Sequence, residues 1–406
     1  MVDFLGLYLF VSFLFVYYSE RTLVSYFILF CAIYSYVSMV IFDFGYIVPF
    51  GLGQGLDEKW ITLPIFVFSS CAISFSLGQT LLFHQSKYQF KSLNENNWTR
   101  DKYKSNMFIL FPILTASLVV MSIGVDNLLF RSTYVVDDAN LTFRKLADIT
   151  VWIAIIAIPF IKSKPLMLLS HVILLLVFVG LGSRSAMVVA LSYPLFNYFI
   201  NGTSKLIVAL NIVIATVLSI AVMGIRFEEH RGIIPILENI INWNVDFSIS
   251  LFLINYLSSY SSLLFSEYLY FHEISYKYFF MSISPLPGFM LDIDGIDQWA
   301  RFRKAIPHSA ISQLYGHIGF VATMFVFFFH GLFCGLLKDR TIRTFGKTRL
   351  ILSALVIIDL IYLMPVIRGM QYNLRGVSRL EYLVLALTVF LVFALYLFRK
   401  NTRNGV

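Results

Sequence analysis

The chain has 406 residues and a formal net charge of +8, with 58% apolar and only 13% charged residues. Soluble proteins carry roughly 45–50% apolar and about 25% charged residues, so a soluble fold would lack the polar side chains to cover its surface. Together with long uncharged runs, this composition predicts an all-α, polytopic integral membrane protein.

Runs of about 20 uncharged residues mark helices that cross the hydrocarbon core of a bilayer. The first run begins almost at Met1, without a basic segment before it or a small-residue cleavage site after it, so we interpret it as a retained span. The predicted spans divide the chain into an eight-helix transmembrane region (1–225), one large loop (226–310) and a three-helix transmembrane region with a C-terminal tail (311–406). We predict about eleven spans, at residues 4–18, 23–42, 61–83, 107–125, 147–161, 166–181, 184–200, 206–225, 311–337, 350–367 and 382–398.

Lys and Arg in alternate loops predict the orientation, because positive residues accumulate on the cytoplasmic side. One set of loops holds 17 of them and includes the dense segments 84–105 and 338–349, whereas the other set holds 14, six of them in 226–310. Positive charges in short loops count most in this rule. We therefore predict that the N-terminus and the loop 226–310 lie outside the cytoplasm and that the C-terminus lies inside it.

The two basic residue types are distributed unequally between the predicted sides. The outside set has ten Arg and four Lys, whereas the cytoplasmic set has seven Arg and ten Lys. The planar guanidinium binds phosphate or carboxylate through two parallel hydrogen bonds, whereas an ammonium group acts as a point charge. The outside arginines therefore indicate anion binding, with salt bridges to acids such as Asp137 and Asp138 as the alternative.

The loop 226–310 is too rich in aromatic residues to be a linker. Within it, Ile249–Phe265 resembles a further span, but a crossing there would place the basic loop 338–349 outside. We therefore predict an interfacial or re-entrant helix at this position. The aromatic residues favour the membrane interface, and stacking on sugars is the alternative.

Two basic motifs lie at predicted outside ends of spans. The motif GLGSRSAM places Arg184 beside two glycines and a helix start, where backbone N–H groups and a guanidinium form an anion site. In GIRFEEHRG, the basic residues Arg226 and Arg231 flank the acids Glu228 and Glu229. The alternatives are an arginine that snorkels from its helix end in the first motif and a solvated turn in the second.

A third cluster precedes the ninth predicted span. SISPLPG predicts a rigid extended turn, and WARFRKAIPHSAISQLYGHIGF then brings Arg301, Arg303 and His308 to the mouth of the span. Nearby positive charge keeps such a histidine unprotonated, so it can serve as a general base near neutral pH. A packing or hydrogen-bonding histidine is the alternative. Arg375 in RGMQYNLRGVSRLE adds a cation on the same side.

Polar residues also lie inside predicted spans. Asp359 is the one acid well inside a span, and intramembrane charge is costly, by ~2.5–3.5 kcal/mol on insertion scales. It is therefore a functional candidate, with a protonated, hydrogen-bonded structural role as an equal alternative. His171 and His330 are also embedded, and we expect hydrogen-bonded core roles for both.

The sequence contains none of the common nucleotide, zinc or nucleophile-elbow motifs. The alternate carboxylates of DIDGID (Asp292–Asp297) lack the other ligands of a calcium loop, so a solvated turn is favoured. The three cysteines lie in apolar runs without metal-ligand spacing. We predict no metal, no cofactor and no nucleic-acid partner.

These features together resemble the Wzy-type O-antigen polymerases, which are oligosaccharide repeat-unit polymerases with a GT-C-type polymerase/ligase architecture. The resemblance rests on the number of spans, GLGSRSAM after the sixth span, SPLPG in a large late outside loop, and IPHSAISQLYGHIGF leading into a long aromatic span. The layout also resembles the O-antigen ligases. In ligases the histidine is typically followed by Asn, whereas His308 is followed by Ser309 here.

The resemblance implies a metal-independent glycosyltransferase of the bacterial inner membrane, with the outside loops in the periplasm. The growing glycan on undecaprenyl diphosphate would be the donor, and a single repeat unit on the same carrier would be the acceptor. A flippase and a polysaccharide chain-length regulator of the same pathway are the implied partners. The alternatives are an O-antigen ligase and a lipid-linked oligosaccharide flippase, which should have short loops and cations buried inside its spans.

Such a transfer needs cations on the leaving diphosphate, a base on the acceptor hydroxyl and a cleft that opens to lipid. We assign the base to His308, Glu228 or Glu229. We assign diphosphate binding to six arginines of the predicted outside face: Arg184, Arg226, Arg231, Arg301, Arg303 and Arg375.

Overall fold

The computed structural model of the chain describes most of its helices and parts of the connections between them. It describes residues 2–19, 22–43, 56–83, 106–133, 139–161, 163–182, 186, 189–190, 192, 204–224, 229–242, 263–271, 274–286, 290–291, 301–303, 306–307, 309–345 and 349–404. Within these ranges nearly every residue is helical.

The described α-helices are, in chain order, α1 (Val2–Tyr18), α2 (Leu23–Asp43), α3 (Glu58–Leu82), α4 (Leu110–Ile123), α5 (Val125–Leu129), α6 (Leu141–Ala157), α7 (Lys164–Gly180), α8 (Lys205–Gly224), α9 (Ile233–Ile241), α10 (263–271), α11 (Tyr276–Ile283), α12 (Ala310–Phe345), α13 (Arg349–Gln371) and α14 (Leu374–Asn404). Short 3-10 turns at Met107–Ile109 and Ile158–Phe160 adjoin α4 and α6. Two short antiparallel strands, β1 (Arg301–Arg303) and β2 (Ile306–Pro307), form a small hairpin.

Several of the described helices are long and apolar. Among the described residues, three stretches are long and apolar enough to cross a membrane: Lys59–Leu82, Ala310–Phe345 and Leu374–Leu397. Shorter apolar helices lie at the positions of other predicted spans, for example Phe4–Tyr18 and Lys164–Gly180. These helices are compatible with the predicted all-α membrane class, and the number of eleven spans stays a prediction.

The chain forms two compact units, Met1–Lys91 with Ile254–Val406 and Ser92–Leu253. These boundaries differ from those of the predicted regions 1–225, 226–310 and 311–406, and they divide the predicted large loop between the two units. The predicted regions describe where the chain crosses the membrane, which the units do not test.

In the first unit, α3 packs lengthwise against α12. Three glycines, Gly78, Gly331 and Gly335, let the two backbones approach so closely that a Cβ added at Gly331 would clash with the carbonyl group of Phe75. A Cβ at Gly335 would lie 2.7 Å from the carbonyl oxygen of Gln79. Small residues at helix crossings are typical of membrane proteins, where close backbone packing replaces the hydrophobic effect between helices.

The helix α12 is longer than the predicted span 311–337 and is bent. Gly319 has φ 75° and ψ 179°, so α12 consists of a short helix before it and a second helix, about 39 Å long at the α-helical rise, after it. The second helix continues to Phe345, so Lys338 lies in a helix rather than in the predicted loop.

The helix α14 also begins earlier than predicted. The expected loop 368–381 is reduced to Tyr372 and Asn373, because α13 continues to Gln371 and α14 starts at Leu374. Asn373 caps the new helix, since its side-chain oxygen accepts a hydrogen bond from Gly376 N at 3.0 Å.

In the second unit, α4 packs against α6 and α7. The helix α6 starts at Leu141, several residues before the predicted span 147–161. Asn140 caps it by accepting hydrogen bonds from the backbone N–H groups of Thr142 and Phe143. The charged first turns of α6 are therefore helical although they are not apolar.

Candidate functional site

The structure describes three of the nine predicted site residues in full, namely Glu229, Arg231 and Arg375. Glu229 and Arg231 belong to the second unit, and Arg375 belongs to the first. For Arg301 and Arg303 the backbone alone is described, in strand β1. The remaining four, Arg184, Arg226, Glu228 and His308, lie outside the described residues.

The first turns of α14 hold the C-terminal end of α11. Arg375 Nη1 donates a hydrogen bond to the carbonyl oxygen of Met281 at 2.6 Å. One turn later Arg379 Nη2 donates to Leu286 O at 3.5 Å, and the hydroxyl of Tyr382 donates to a carbonyl oxygen of α11 as well. Cations at a helix C-terminus satisfy its unpaired carbonyl groups and oppose the negative end of the helix dipole. The chain is therefore attached to α14 from the end of α11 as far as Leu286, which lies within the motif SPLPG.

The start of α12 is fixed to the turn between α13 and α14. The hydroxyl of Ser309 donates to Gly369 O at 3.0 Å, and the N–H of Ala310 donates to Tyr372 O at 2.8 Å. Gln313 Oε1 accepts the N–H of Leu374 at 2.7 Å. Ser309, the residue that directly follows the predicted base in the sequence, is therefore anchored by these contacts.

Two buried side chains join α12 to α11. The hydroxyl of Tyr278 and the amide of Gln313 are hydrogen bonded, at 3.3 Å and 3.4 Å. Burial raises the pKa of Tyr278, although its hydrogen bonds and the charge of Arg375 act against this. The hydroxyl therefore stays protonated at neutral pH and can donate.

His317 is a hydrogen-bond donor in this region. Its Nδ1 lies 2.5 Å from Gln313 O and its Nε2 lies 3.1 Å from Ser275 O, and its ring stacks on Phe279. Carbonyl oxygens only accept hydrogen bonds, so the ring serves to hold α11 against α12. This geometry does not leave His317 a free nitrogen for a substrate.

One guanidinium nitrogen of Arg375 has no hydrogen-bond partner among the described residues. Its Nη1 binds Met281 O, whereas its Nη2 is buried and has no hydrogen-bond partner within the described part of the chain. A buried donor without a partner costs free energy, and an anionic oxygen would satisfy it. Nη2 of Arg375 is therefore a guanidinium nitrogen that a ligand could use in the first unit.

The second unit contains a related arrangement around Arg131. Its backbone pairs with that of Arg231 through hydrogen bonds of 2.7 Å and 2.8 Å. Its buried guanidinium donates to Gly180 O at 2.6 Å and to Leu181 O at 2.9 Å, at the C-terminal end of α7. These carbonyl groups belong to the motif GLGSRSAM, so the start of this motif is fixed beside Arg231.

The structure gives the predicted outside arginines a third role besides anion binding and salt bridges to acids. Arg131, Arg375 and Arg379 donate to backbone carbonyl groups at or just beyond helix ends. Arg144 lies 3.8 Å from Asp148, in the manner of the salt-bridge alternative. The sequence feature that could have indicated this role is the position of an arginine near the end of a predicted helix.

The sequence does not indicate two side-chain pairs inside the first unit, of which one is buried and one is partly buried. Asp359 lies 2.5 Å from Lys338 Nζ, and His330 Nδ1 lies 2.6 Å from Glu381 Oε1. Lys338 and Glu381 were both assigned to loops, because charge interrupts the apolar runs there. The core role expected for His330 agrees with its two hydrogen bonds, to Glu381 and to Tyr362 O.

Comparison with known proteins identifies no relative of this chain. No protein-family model, no characterised protein and no solved structure matches it.

Proposed function

We propose that this protein is a multi-pass glycosyltransferase of a bacterial inner membrane that polymerises lipid-linked oligosaccharide repeat units of O-antigen or a related surface polysaccharide. The acceptor hydroxyl attacks the sugar carbon that carries undecaprenyl diphosphate. A carbon–oxygen bond forms to the acceptor, the bond to the diphosphate breaks, and the hydroxyl proton passes to a base. The lipid diphosphate leaves with the electron pair of the broken bond.

One observation carries the proposal. Two of the segments on which the resemblance rests lie in the first unit, and both contact residues near the junction of α13 and α14. The chain that leads into SPLPG contacts α14 through Met281 O and Leu286 O, and the segment that starts at Ser309 is held by Gly369 and Leu374. A glycosyl transfer needs a cation and a base at one place, and these contacts bring their chain segments to one end of the helices.

We assign distinct roles to residues at this end of the first unit. Arg375 uses one guanidinium nitrogen to hold α11 and has a second one, Nη2, for the diphosphate. His308 is the proposed base, because it precedes the anchored Ser309 and follows the strand pair that contains Arg301 and Arg303. Glu228 and Glu229 stay predicted as alternative bases, and Arg184, Arg226 and Arg231 stay predicted as diphosphate ligands. These five residues belong to the second unit.

The proposal includes an orientation. The Arg375 end of the first unit faces the periplasm, where the flippase delivers the lipid-linked repeat units and a chain-length regulator limits the polymer. The N-terminus is periplasmic and the C-terminus is cytoplasmic. This placement is supported by the distribution of Lys and Arg among the loops.

One observation favours the alternative of a lipid-linked oligosaccharide flippase. Lys338 is a cation buried inside an apolar helix, with 3% of its side chain exposed, and it is paired with Asp359. Buried charges of this kind are common in transporters. We prefer the polymerase because the predicted loop 226–310 is long, and transporter loops are expected to be short.

The test is deletion of the gene followed by a gel of the surface polysaccharide. Loss of a polymerase leaves a single repeat unit on the lipid A core, and the expressed wild-type chain should restore the ladder of long chains. A core without any repeat unit would reject the polymerase. In that case, long polymer retained on undecaprenyl diphosphate would indicate a ligase, and its absence would indicate a flippase.

A further inference from the structure

The second helix of α12 carries three polar side chains on one face. His330, Cys334 and Lys338 are spaced by four residues, so they lie above one another along the helix. All three are buried. A polar stripe of this kind inside an apolar helix is costly, so each member is expected to have partners on the neighbouring helices.

Partners for the stripe come from α13 and α14. Lys338 Nζ lies 2.5 Å from Asp359 Oδ1, to which Cys334 Sγ donates at 3.8 Å. His330 lies between Glu381 of α14 and the backbone of α13. Among the described residues, the titratable groups in contact with His330 are Glu381 and Tyr362, and α3 contributes the ring of Phe75. Cys334, Lys338 and Asp359 are the titratable groups farther along the stripe.

The hydrogen-bond geometry of His330 requires a shared proton. Its Nε2 lies 2.9 Å from Tyr362 O, which only accepts, so Nε2 carries a hydrogen. Its Nδ1 lies 2.6 Å from Glu381 Oε1, a distance at which two lone pairs would repel each other. One proton therefore lies between Nδ1 and Oε1, either in an imidazolium–carboxylate pair or in an imidazole–carboxylic acid pair.

This proton keeps the pair neutral. Both protonation arrangements of His330 and Glu381 have no net charge, whereas loss of the shared proton would leave a carboxylate facing a lone pair. The positive charge of Lys338 is matched by Asp359 at 2.5 Å, so it is already neutralised locally. An unbalanced carboxylate inside the apolar part of a membrane protein is strongly disfavoured.

The four side chains of the two pairs differ in the fraction of their surface that is exposed. Glu381 has 28% of its side chain exposed, against 6% for His330, and Lys338 and Asp359 have 3% and 8%. Glu381 lies six residues after Arg375, about 9 Å along α14 at the helical rise. Exchange with the surroundings is therefore favoured at Glu381, and the Lys338–Asp359 pair closes the other end of the stripe.

We propose that His330 and Glu381 form a binding site for one exchangeable proton inside the apolar part of the protein, open at Glu381 and closed at the Lys338–Asp359 pair. The ligand is a proton, which transfers between Oε1 and Nδ1 without net change of charge. This binding function is separate from glycan transfer and does not depend on the proposed function.

The test uses the purified full-length protein and dicyclohexylcarbodiimide, an apolar reagent that modifies protonated carboxyl groups. The carboxyl proton moves to a nitrogen of the reagent, and the carboxyl oxygen bonds to its central carbon. Mass spectrometry of the peptide that contains Glu381 measures the labelled fraction as a function of pH. We expect labelling at acidic and neutral pH that falls as the pH is raised, because the shared proton is then lost.

Three variants sharpen the test. Glu381→Gln should remove the label from this peptide, and the same exchange at an exposed position, Glu238→Gln, should leave it unchanged. In His330→Gln the proton can reside only on Glu381, so labelling should increase and persist to higher pH. If His330→Gln does not fold, the pH series of the wild-type protein decides alone.

Three outcomes would contradict the proposal, each in a different way. An unlabelled wild type with a labelled His330→Gln would show a proton fixed on the imidazole, and it would overturn exchange. Absence of label in both proteins would overturn the opening at Glu381. Labelling of the wild type that does not change with pH would also overturn the site.

Discussion

Arginine side chains cap helices to which they do not belong. Arg131 donates to the end of α7, and Arg375 and Arg379 donate to carbonyl groups at and beyond the end of α11. A hydrogen bond with a charged donor contributes about 1.5–3 kcal/mol when it is shielded from water. The two shorter caps, of Arg131 and Arg375, therefore stabilise the positions of the motifs that follow α7 and α11.

Arg375 caps α11 with one guanidinium nitrogen and has a second nitrogen that a ligand could use. Its replacement by lysine therefore separates helix capping from diphosphate binding. We expect Arg375→Lys to keep a thermal stability close to that of the wild type, because an ammonium group can still donate to Met281 O. Polymer synthesis should fall by about 10²–10³-fold, as for the loss of a single electrostatic donor. A gel of the polysaccharide and the unfolding temperature of the purified protein measure the two effects.

The matched control is Arg379→Lys. Arg379 is exposed and makes a longer hydrogen bond, of 3.5 Å, so both properties should be retained. Normal chain lengths from Arg375→Lys would reduce Arg375 to a helix cap and remove it from the proposed diphosphate site.

His308 is the residue proposed as the general base. Removal of a general base typically lowers a rate about 10²–10⁴-fold, so His308→Ala should abolish long chains while the protein still inserts into the membrane. His308→Gln should do the same, because glutamine can form hydrogen bonds but cannot take a proton. His230→Gln, at an exposed histidine that contacts Phe130, is the control and should leave the gel unchanged. Polymer of normal length from His308→Gln would favour Glu228 or Glu229 as the base.

The surroundings of a single residue can be predicted from the sequence where its sequence neighbours determine them. Asp359 stood out because it interrupts an apolar run, and it is indeed buried in an ion pair. Its partner Lys338 follows such a run and was assigned to the next loop. Whether a charge at the end of an apolar run belongs to a helix depends on a partner from another helix, which no local pattern contains.

At the scale of elements, the positions of the helices were easier to predict than their ends. The apolar runs locate α3, α7 and α12 well, since burial and lipid contact both require apolar side chains. The ends of α6, α12 and α14 extend past these runs. Their additional turns are polar and are stabilised by a cap at Asn140, the Lys338–Asp359 pair and the Arg375 contacts.

The crossing of α3 and α12 depends on glycine. We expect Gly331→Ala to destabilise the protein by about 1–3 kcal/mol, the usual cost of overpacking, because the new methyl group would clash with the carbonyl group of Phe75. Fluorescence-monitored gel filtration after heating measures the effect in detergent. Gly6→Ala in α1 is the control, since its Cβ would lie 3.9 Å from the hydroxyl of Tyr36, an ordinary contact. Equal thermal profiles for the two variants would show that α3 and α12 have room to separate.

At the scale of the whole molecule, composition predicted the membrane class because it averages over the entire chain. The division into two units depends instead on contacts between distant segments. The hydroxyl of Ser266, for example, donates to Trp60 O at 2.6 Å across 206 positions of sequence. A contact of this kind joins residues 254–406 to the first helices, and nothing in the composition of either segment indicates it.

The orientation of the chain is the prediction on which the placement of the site depends. The helix α13 offers a direct test, because Tyr372 follows one end of it and Lys347 precedes the other. We expect a membrane-impermeant maleimide to label Tyr372→Cys in cells whose outer membrane is open, since that end faces the periplasm. Lys347→Cys should react only after the inner membrane is permeabilised, because the basic segment around it faces the cytoplasm.

The native cysteines suit this experiment. Cys31, Cys71 and Cys334 are all buried, so the wild-type protein should give little background labelling and serves as the control. Each variant should also retain polymer synthesis, which shows that its fold is native. Labelling of Lys347→Cys in intact spheroplasts, with Tyr372→Cys protected, would reverse the orientation. It would place Arg375 and the segment after His308 in the cytoplasm, where a periplasmic polymerase could not use them.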